Sequence, residues 1–323
     1  MTSLPRFLCV LPLLLAFSTS AFDLQAHRGG RGLEPENTLP AFENALALGV
    51  DTLELDVGVT ADGVVVISHD PALNPLIVRD AAGQWLAAGK GPLINSLTLG
   101  QLQTYQLGRI QPGTPYASTF AAQQARDGIR MPTLAALFER VKALGANEVR
   151  FNIETKIDPT RPDDTVSPET MTRALLQVVR EAEMTARVTI QSFDWRTLQL
   201  VQELAPSIPT VYLTIQTANT DNVRDGAWTA GFKLADHGNV PRLVKAAGGS
   251  VWSPNGGAVT EALVRQAQAL GLKVVPWTIN SPADFDRMLG WGVDGLITDY
   301  PDRLREALRQ RGLALPKPLQ AGS

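Results

Sequence analysis

Thiol chemistry is almost absent from this chain: its 323 residues carry one cysteine, Cys9. Cys9 lies in an apolar N-terminal run, so the remainder has no disulfide, no thiolate nucleophile and no thiolate metal site. Histidine is nearly as scarce, at three residues. Neither sign of charge dominates. The formal net charge of -3 offers no global attraction to nucleic acid or to an anionic membrane, so an anionic ligand must be held by local groups. Beyond the N-terminus no run is long and apolar enough for a transmembrane helix. No Gly-rich dinucleotide turn follows the first predicted strand, which argues against a doubly wound nucleotide-binding sheet.

What is present begins with a tripartite N-terminus. Arg6 supplies one positive charge, Phe7 to Phe17 is almost entirely apolar, and Ser18-Thr19-Ser20-Ala21 offers small residues suited to cleavage. This is the pattern of a secretory signal peptide over residues 1–21, and its apolar core is short for a membrane span. The competing reading is an uncleaved anchor. With cleavage, the expected location is periplasmic or secreted, with no transmembrane anchor remaining.

In the rest of the chain, short β-rich runs alternate with helical periodicity, which predicts parallel strands joined by helices. Eight strands are expected near Leu24–Arg28, Thr52–Val59, Val149–Thr155, Val188–Ser192, Thr210–Thr214, Ser250–Ser253, Lys273–Thr278 and Gly295–Thr298. Helices are expected over Leu39–Leu48, Thr133–Leu144, Pro168–Glu183, Trp195–Leu204, Glu261–Leu270, Pro282–Leu289 and Asp302–Arg309. Pro168, Pro282 and Pro301 fall where a first helical turn needs no N–H. Gly49, Gly145 and Gly271 follow helical runs as C-terminal caps do. The expectation is an α/β fold, a (β/α)8 TIM barrel, over residues 22–313, a length that suits one such domain. One small insertion, about 71–131, follows the second strand and is rich in Gly, Pro, Ala and Gln. Residues 314–323 read as a frayed tail.

The chemistry-bearing residues gather at predicted strand ends, where catalytic groups collect in parallel α/β folds. His27 ends the first strand and His69 ends the apolar run "GVVVISHD". Two imidazoles titrating near neutrality suit a general base and a general acid. His237, in "LADHGNV", has no such setting and reads as a surface or satisfied core residue. In "TLELDVGV", Glu54 and Asp56 share one face of a strand, opposite Leu53, Leu55 and Val57. Two buried carboxylates need a positive partner, and a hard cation with oxygen ligands provides one. The alternative is an exposed strand end with two solvated acids. "VRFNIETK" repeats the arrangement, putting Asn152, Glu154 and Lys156 on one face, with Glu154 as a third oxygen ligand and Lys156 as a point charge for phosphate. Arg28 offers a planar fork suited to the same group. Gln191 reads either as a ligand-facing hydrogen-bonding group or as a cap on the next helix. Trp277 is either an apolar wall for the organic part of a ligand or a core aromatic. Thr38, after Glu36 and Asn37, reads as an N-cap, and Asp299 as ordering the loop that follows it.

"HRGGRGLEPENT", "LELDVGVTADGVVVISHD", "NIETK", "QSFD", "PWTIN" and "GVDGLITDYPD", in this order from Gln25 to about Asp302, resemble the consecutive signatures of glycerophosphodiester phosphodiesterases. The resemblance implies a (β/α)8 barrel with an insertion after the hairpin of the second strand. It implies that His27 and His69 are the acid/base pair, that Glu54, Asp56 and Glu154 hold one divalent cation, Ca²⁺ or Mg²⁺, and that Arg28 and Lys156 face the phosphate. The implied reaction is hydrolysis of a small-molecule glycerophosphodiester to sn-glycerol 3-phosphate and an alcohol. A phospholipase D-like or C-like barrel acting on lipids, and a non-catalytic secreted binding protein, are the rival readings. Headgroup and oligomeric state have no signal in the sequence.

Overall fold

The computed structural model describes residues 22–89 and 91–320; the expected signal peptide lies outside the described residues. β1 (Asp23–Ala26), β2 (Thr52–Val59), β4 (Arg150–Thr155), β5 (Val188–Ser192), β6 (Thr210–Thr214), β7 (Val251–Pro254), β8 (Lys273–Val274) and β9 (Gly295–Thr298) run parallel. Their order is β8–β7–β6–β5–β4–β2–β1–β9, and β3 (Val65–Ile67) pairs antiparallel with β2 outside this row. Backbone hydrogen bonds from Asp294 N to Val274 O (2.9 Å) and from Ile297 N to Pro276 O (3.0 Å) join the two ends. The result is a nearly closed barrel of eight parallel strands, as expected for the TIM-barrel architecture.

Each of the eight barrel strands but the last is linked to the next through at least one helix. α1 (Leu39–Leu48) follows β1, α4 (Leu134–Ala143) precedes β4, and α5 (Pro168–Glu181) and α6 (Trp195–Leu204) follow β4 and β5. α9 (Glu261–Ala269) and α10 (Pro282–Gly290) follow β7 and β8, and α11 (Pro301–Gln310) closes the chain. Their starts follow local rules. Thr38, Ser167, Asp194 and Ser281 each accept a hydrogen bond from a first-turn N–H, a contribution of about 1 kcal/mol apiece. α5 shows why a helix forms and where it packs: Met171, Leu175, Leu176 and Val179, spaced for one face, are fully buried, each stabilising by roughly 1.5–3 kcal/mol. Between β6 and β7 lie two short helices absent from the sequence reading, α7 (Leu234–His237) and α8 (Val240–Ala246).

Several boundaries depart from expectation. β1 stops at Ala26, and His27–Gly29 form a 3-10 turn instead of continuing the strand to Arg28. Arg28 takes φ 52° there and Gly29 φ 80°. A Cβ on Gly29 would lie 2.8 Å from the Ala41 Cβ, so this tight turn against α1 needs glycine. β8 stops at Val274 rather than Thr278, because Pro276 has no N–H for the ladder. The tail is not frayed over its described part. Arg305 Nη1 donates to Pro316 O (2.8 Å) and Leu319 N to Leu46 O (2.9 Å), which fasten it across α1 and α11.

The insertion carries α2 (Leu99–Leu102) and α3 (Pro115–Thr119) and a core of its own, with Val66, Leu73, Val78, Ile94, Leu102 and Met131 buried together. This small core explains how so long a connection stays ordered. The main core lies between barrel and helices, where Leu53, Leu55 and Val57 of β2 are completely buried.

Candidate active site

Strand alternation sends Glu54 and Asp56 to the opposite side of β2 from those apolar residues, toward the barrel axis. The β2–β4 register places Glu54 beside Asn152 and Asp56 beside Glu154. Glu154 in turn neighbours Gln191 on β5. One carboxylate oxygen each from Glu54, Asp56 and Glu154 falls within 4.8 Å of the others, and all three residues are buried. The exposed-strand-end reading is thereby excluded.

These acids are held from several directions. Glu54 accepts from Gln191 Nε2 (2.6 Å) and from the backbone N–H of Arg28 (2.9 Å). The left-handed turn at Arg28 is what aims that N–H inward. Gln191 is itself fixed, since Asn152 Nδ2 donates to its Oε1 at 2.9 Å. It is not the cap of the next helix, which is Asp194. Asp56 Oδ2 accepts from Asn37 Nδ2 at 3.0 Å. Lys156 Nζ lies 2.6 Å from Glu154 Oε1 and 3.7 Å from Asp56 Oδ1. Arg28 pairs through Nη1 with Glu36 Oε1 at 2.8 Å, and its Nε stands 3.5 Å from Asp56 Oδ2.

Three buried atoms in this group lack a hydrogen-bond partner: the donor Arg28 Nε and the acceptors Asn37 Oδ1 and Asp56 Oδ1. A buried polar atom left unpaired costs on the order of 1–3 kcal/mol. Asp56 Oδ1, with two further carboxylates close by, is therefore matched to a hard divalent cation with oxygen ligands. Burial, reinforced by Asp56, pushes the Glu54 carboxyl well above its usual range. Burial also raises Glu154 to about 7, with Lys156 opposing and Asp56 adding to the rise. Asp56 stays low: burial opposes its charge, but His69, Lys156 and Arg28 outweigh burial.

Both candidate histidines reach this cluster. His27 Nδ1 lies 2.6 Å from Asp299 Oδ1, and its Nε2 stands 4.0 Å from Glu54 Oε2. Burial, with help from Arg31 and Arg28 and against Asp299, lowers His27 to about 4. The neutral ring then donates Nδ1–H to Asp299 and leaves the Nε2 lone pair to face the cavity. Asp299 also accepts from Arg31 Nε and from Asn280 Nδ2, both at 2.7 Å. Its role thus extends beyond ordering a loop. His69 Nδ1 lies 3.0 Å from Asp70 Oδ1, and its ring is lowered chiefly by burial and then by Lys156 and Arg28. His237, on α7, stacks at a tilt near Phe232, 6.0 Å between centroids, and borders none of the three cavities described below.

His27, His69, Glu54, Glu154, Lys156, Gln191 and Trp277 all border one cavity of about 110 Å³ at the C-terminal ends of the strands. His69, Glu154, Lys156 and Trp277 also border an outer vestibule of about 380 Å³. Trp277 is half-buried, with Nε1 donating to Ser253 O at 3.0 Å, so it is a wall of both spaces rather than a core residue. A separate cavity of about 630 Å³ lies within the insertion and is bordered by none of these groups.

Sequence reasoning missed the residues that brace the loop from β1 to α1. Tyr116 of α3 donates to Glu36, which holds Arg28. Arg126 makes paired hydrogen bonds to Glu34, Gln123 Nε2 donates to Arg31 O, and the Arg31 guanidinium lies over Phe120 at 4.8 Å. These contacts join residues about eighty or more positions apart, and no local pattern in the chain announces them.

Residues 27–303 match the glycerophosphoryl diester phosphodiesterase family. Among relatives, a glycerophosphodiester phosphodiesterase of Caldanaerobacter subterraneus subsp. tengcongensis is 28% identical over 89% of this chain and 98% of its own. Lysophospholipase D GDPD3 of Homo sapiens is 28% identical over 90% of this chain and 86% of its own. A crystal structure from Silicibacter pomeroyi DSS-3, assigned provisionally as a glycerophosphoryl diester phosphodiesterase, is 35% identical and superposes with a TM-score of 0.82, covering 91% of this chain and 95% of that one. An Oleispira antarctica phosphodiesterase, solved in complex with the product sn-glycerol-3-phosphate, shares the fold at 22% identity and TM-score 0.64, covering 89% of this chain and 96% of that one. The chain belongs to the glycerophosphoryl diester phosphodiesterase family.

Proposed function

We propose that this glycerophosphodiester phosphodiesterase works by paired histidine acid–base catalysis at a divalent cation held by Glu54, Asp56 and Glu154. The observation that carries the reading is the convergence of His27, His69, Lys156, Glu54 and Glu154 on one small cavity, with an oxygen of Asp56 within 4.8 Å of the other two acids. Ca²⁺ or Mg²⁺, when bound to the three carboxylates, supplies positive charge toward the non-bridging oxygens of the phosphate. Lys156 and Arg28 add to that charge from fixed positions, so little reorganisation accompanies the rise of negative charge in the transition state.

One imidazole takes the proton from the substrate's 2-hydroxyl as that oxygen bonds to phosphorus. The bond from phosphorus to the departing alkoxide breaks, and the other imidazole protonates the alkoxide. Water then opens the cyclic phosphate with the imidazole roles reversed, yielding sn-glycerol 3-phosphate and a free alcohol. Asp299 and Asp70 keep the working nitrogens of His27 and His69 oriented. The deciding experiment measures sn-glycerol 3-phosphate release from glycerophosphocholine with and without a chelator. Full activity of the metal-stripped chain in excess chelator would overturn the cation's part, and absence of release under all conditions would overturn the substrate class.

The half-exposed aromatic lining of the vestibule also supports a second reading, cleavage of lysophospholipids, and lysophosphatidylcholine added to the same assay separates the two. Export to the periplasm or beyond is proposed as well, on the N-terminal pattern alone.

A further inference from the structure

The outer vestibule has a chemistry that phosphate binding does not require. Phe193, Trp228 and Trp277 form a connected set of rings there. Phe193 meets Trp277 edge-on, 5.3 Å between centroids and 88° between planes, and meets Trp228 at 6.4 Å and 80°. All three rings are only partly buried, whereas the described surface exposes a single large hydrophobic residue, Leu313. Rings set at right angles around an open space present π faces, which attract cations whose own hydration is weak. Acidic groups line the same space. Asp158 and Asp221 are 19% and 12% exposed. Arg224, which pairs with Asp221, extends 77% into solvent and does not line the space, whereas Arg161, paired with Asp158, does line it. Asp70, Glu154 and Asp164 line it too, so the acids outnumber Lys156 and Arg161. Lys156, whose ammonium sits 5.9 Å over Phe193, is matched by Glu154 and Asp56. The vestibule therefore combines aromatic faces with surplus negative charge and adjoins the catalytic cavity through His69, Lys156, Phe193 and Trp277.

We infer that this vestibule is the subsite for the departing alcohol and that it selects an alcohol bearing an alkylated ammonium group. The inference rests on the glycerophosphodiester reading above. A phosphate anchored near Lys156 directs one ester arm into the inner cavity and leaves the other to emerge past Phe193. A quaternary ammonium there exchanges weak hydration for ring faces and nearby carboxylates. A primary ammonium, more strongly hydrated, gains less, and a neutral polyol gains nothing from the charge.

The test compares kcat and KM for glycerophosphocholine, glycerophosphoethanolamine and glycerophosphoglycerol at saturating divalent cation, with lysophosphatidylcholine and lysophosphatidylglycerol as acyl-bearing counterparts. The expected order is choline above ethanolamine above glycerol, with roughly two- to thirtyfold per ring contact. Trp228→Leu and Phe193→Leu should collapse that preference toward one, through KM for the choline diester, and Trp228→Phe should restore part of it. Asp221→Asn should weaken the preference while keeping an acceptor for the Val223 N–H. Equal KM across headgroups in the unmodified chain, or variants that lower every substrate alike, would overturn the subsite. So would variants that alter only the response to an acyl chain. If no diester is cleaved, the substrate reading itself fails. Choline binding, followed by calorimetry in the unmodified chain and in Trp228→Leu, then decides the subsite: binding lost in the variant supports it, and no binding to the unmodified chain overturns it.

Discussion

His27 and Asp299, 272 residues apart, meet through a 2.6 Å contact between Nδ1 and Oδ1, and Asp299 is anchored on its other side by Asn280. Asp299 sits directly after β9, the barrel neighbour of β1, so the β1–β9 pairing is what creates the contact. The carboxylate selects the tautomer in which Nε2 faces the cavity. Asp299→Asn should therefore reduce kcat by about 10²-fold, within the range for a disabled acid–base catalyst, with circular dichroism unchanged. The sign of the accompanying pH effect is fixed by the charges. Asp299 raises the His27 pKa while burial and the two arginines lower it. Loss of the carboxylate should thus move the limb of the rate profile that His27 sets to lower pH. Normal turnover in Asp299→Asn would sink the orienting role.

Cation binding should release protons. Without a cation, burial keeps Glu54 protonated well above the ordinary carboxylate range and Glu154 up to about 7. Bringing in a divalent ion requires both to ionise. Ca²⁺ or Mg²⁺ affinity should therefore climb between about pH 5 and pH 7, with proton release detected by calorimetry in buffers of different ionisation enthalpy. The stability trend carries the matching sign. A carboxyl whose folded value is raised binds protons more tightly in the native than in the unfolded chain, so its effect on the cation-free protein is a loss of stability as pH rises through this window. Added cation should offset that loss and raise Tm more at pH 7 than at pH 5. A pH-independent affinity with no proton release would contradict the assignment.

Glu54→Ala and Asp56→Ala should lose both cation affinity and turnover while remaining folded. Asp56 is the more informative of the two for the cation, because its Oδ1 lacks a hydrogen-bond partner, and the melt is needed because its Oδ2 accepts from Asn37 and faces Arg28. Cation titration and a thermal melt on each variant check this. Retained activity in Asp56→Ala would remove it from the ligand set.

Tyr116 links the insertion to the site through Glu36 and Arg28. Tyr116→Phe keeps the ring against Phe120 and deletes only the donor. If Arg28 grips the phosphate and adds to the charge that steadies the transition state, kcat/KM for the diester should fall several-fold. An unchanged kcat/KM would count against this role.

How much of this was legible in the chain depends on distance along it. The period of two in "TLELDVGV" and "NIET" placed Glu54, Asp56 and Glu154 on one face without any structure, because strand alternation is a local property. Thr38 and Pro168 marked helix starts for the same reason. Asp299 looked like a loop residue because its partner, His27, lies in the turn after β1, at the other end of the chain. Arg31, Glu36 and Tyr116 were opaque for a similar cause: their contacts join the loop after β1 to an insertion with little periodicity. α8 is seven residues long with Pro241 in its first turn, too short a run for apolar spacing to declare itself. The tail looked loose because Pro316 and Pro318 break helix, yet Arg305 and Leu46 bind its backbone.

Export is tested directly. Mass spectrometry of the mature protein from its native host should show a chain beginning close to Phe22. An exported protein retaining Met1 would eliminate the signal-peptide reading.

The three histidines allow the acid–base assignment to be separated from the cation site. His27 approaches the cavity from the turn after β1, and His69 from the segment after β3, so a phosphate between them is flanked from two directions. Both rings are held below their ordinary value by burial and by neighbouring cations, so the apparent values in a pH–rate profile belong to the coupled pair. A bell-shaped profile is expected, with one limb lost or displaced in each single variant. His27→Ala and His69→Ala should each lose roughly 10²–10⁴-fold in turnover. Their cation affinity should change little, because neither ring is among the three carboxylate ligands. Substrate affinity should also survive, since Arg28, Lys156 and the cation site remain. His237→Ala, on a helix away from both cavities, should behave as the unmodified chain. The measurement is a side-by-side titration of cation, binding of a non-hydrolysed diester analogue and turnover in all three variants. Near-normal turnover in His69→Ala, or its abolition in His237→Ala, would show that the acid and base have been placed on the wrong residues.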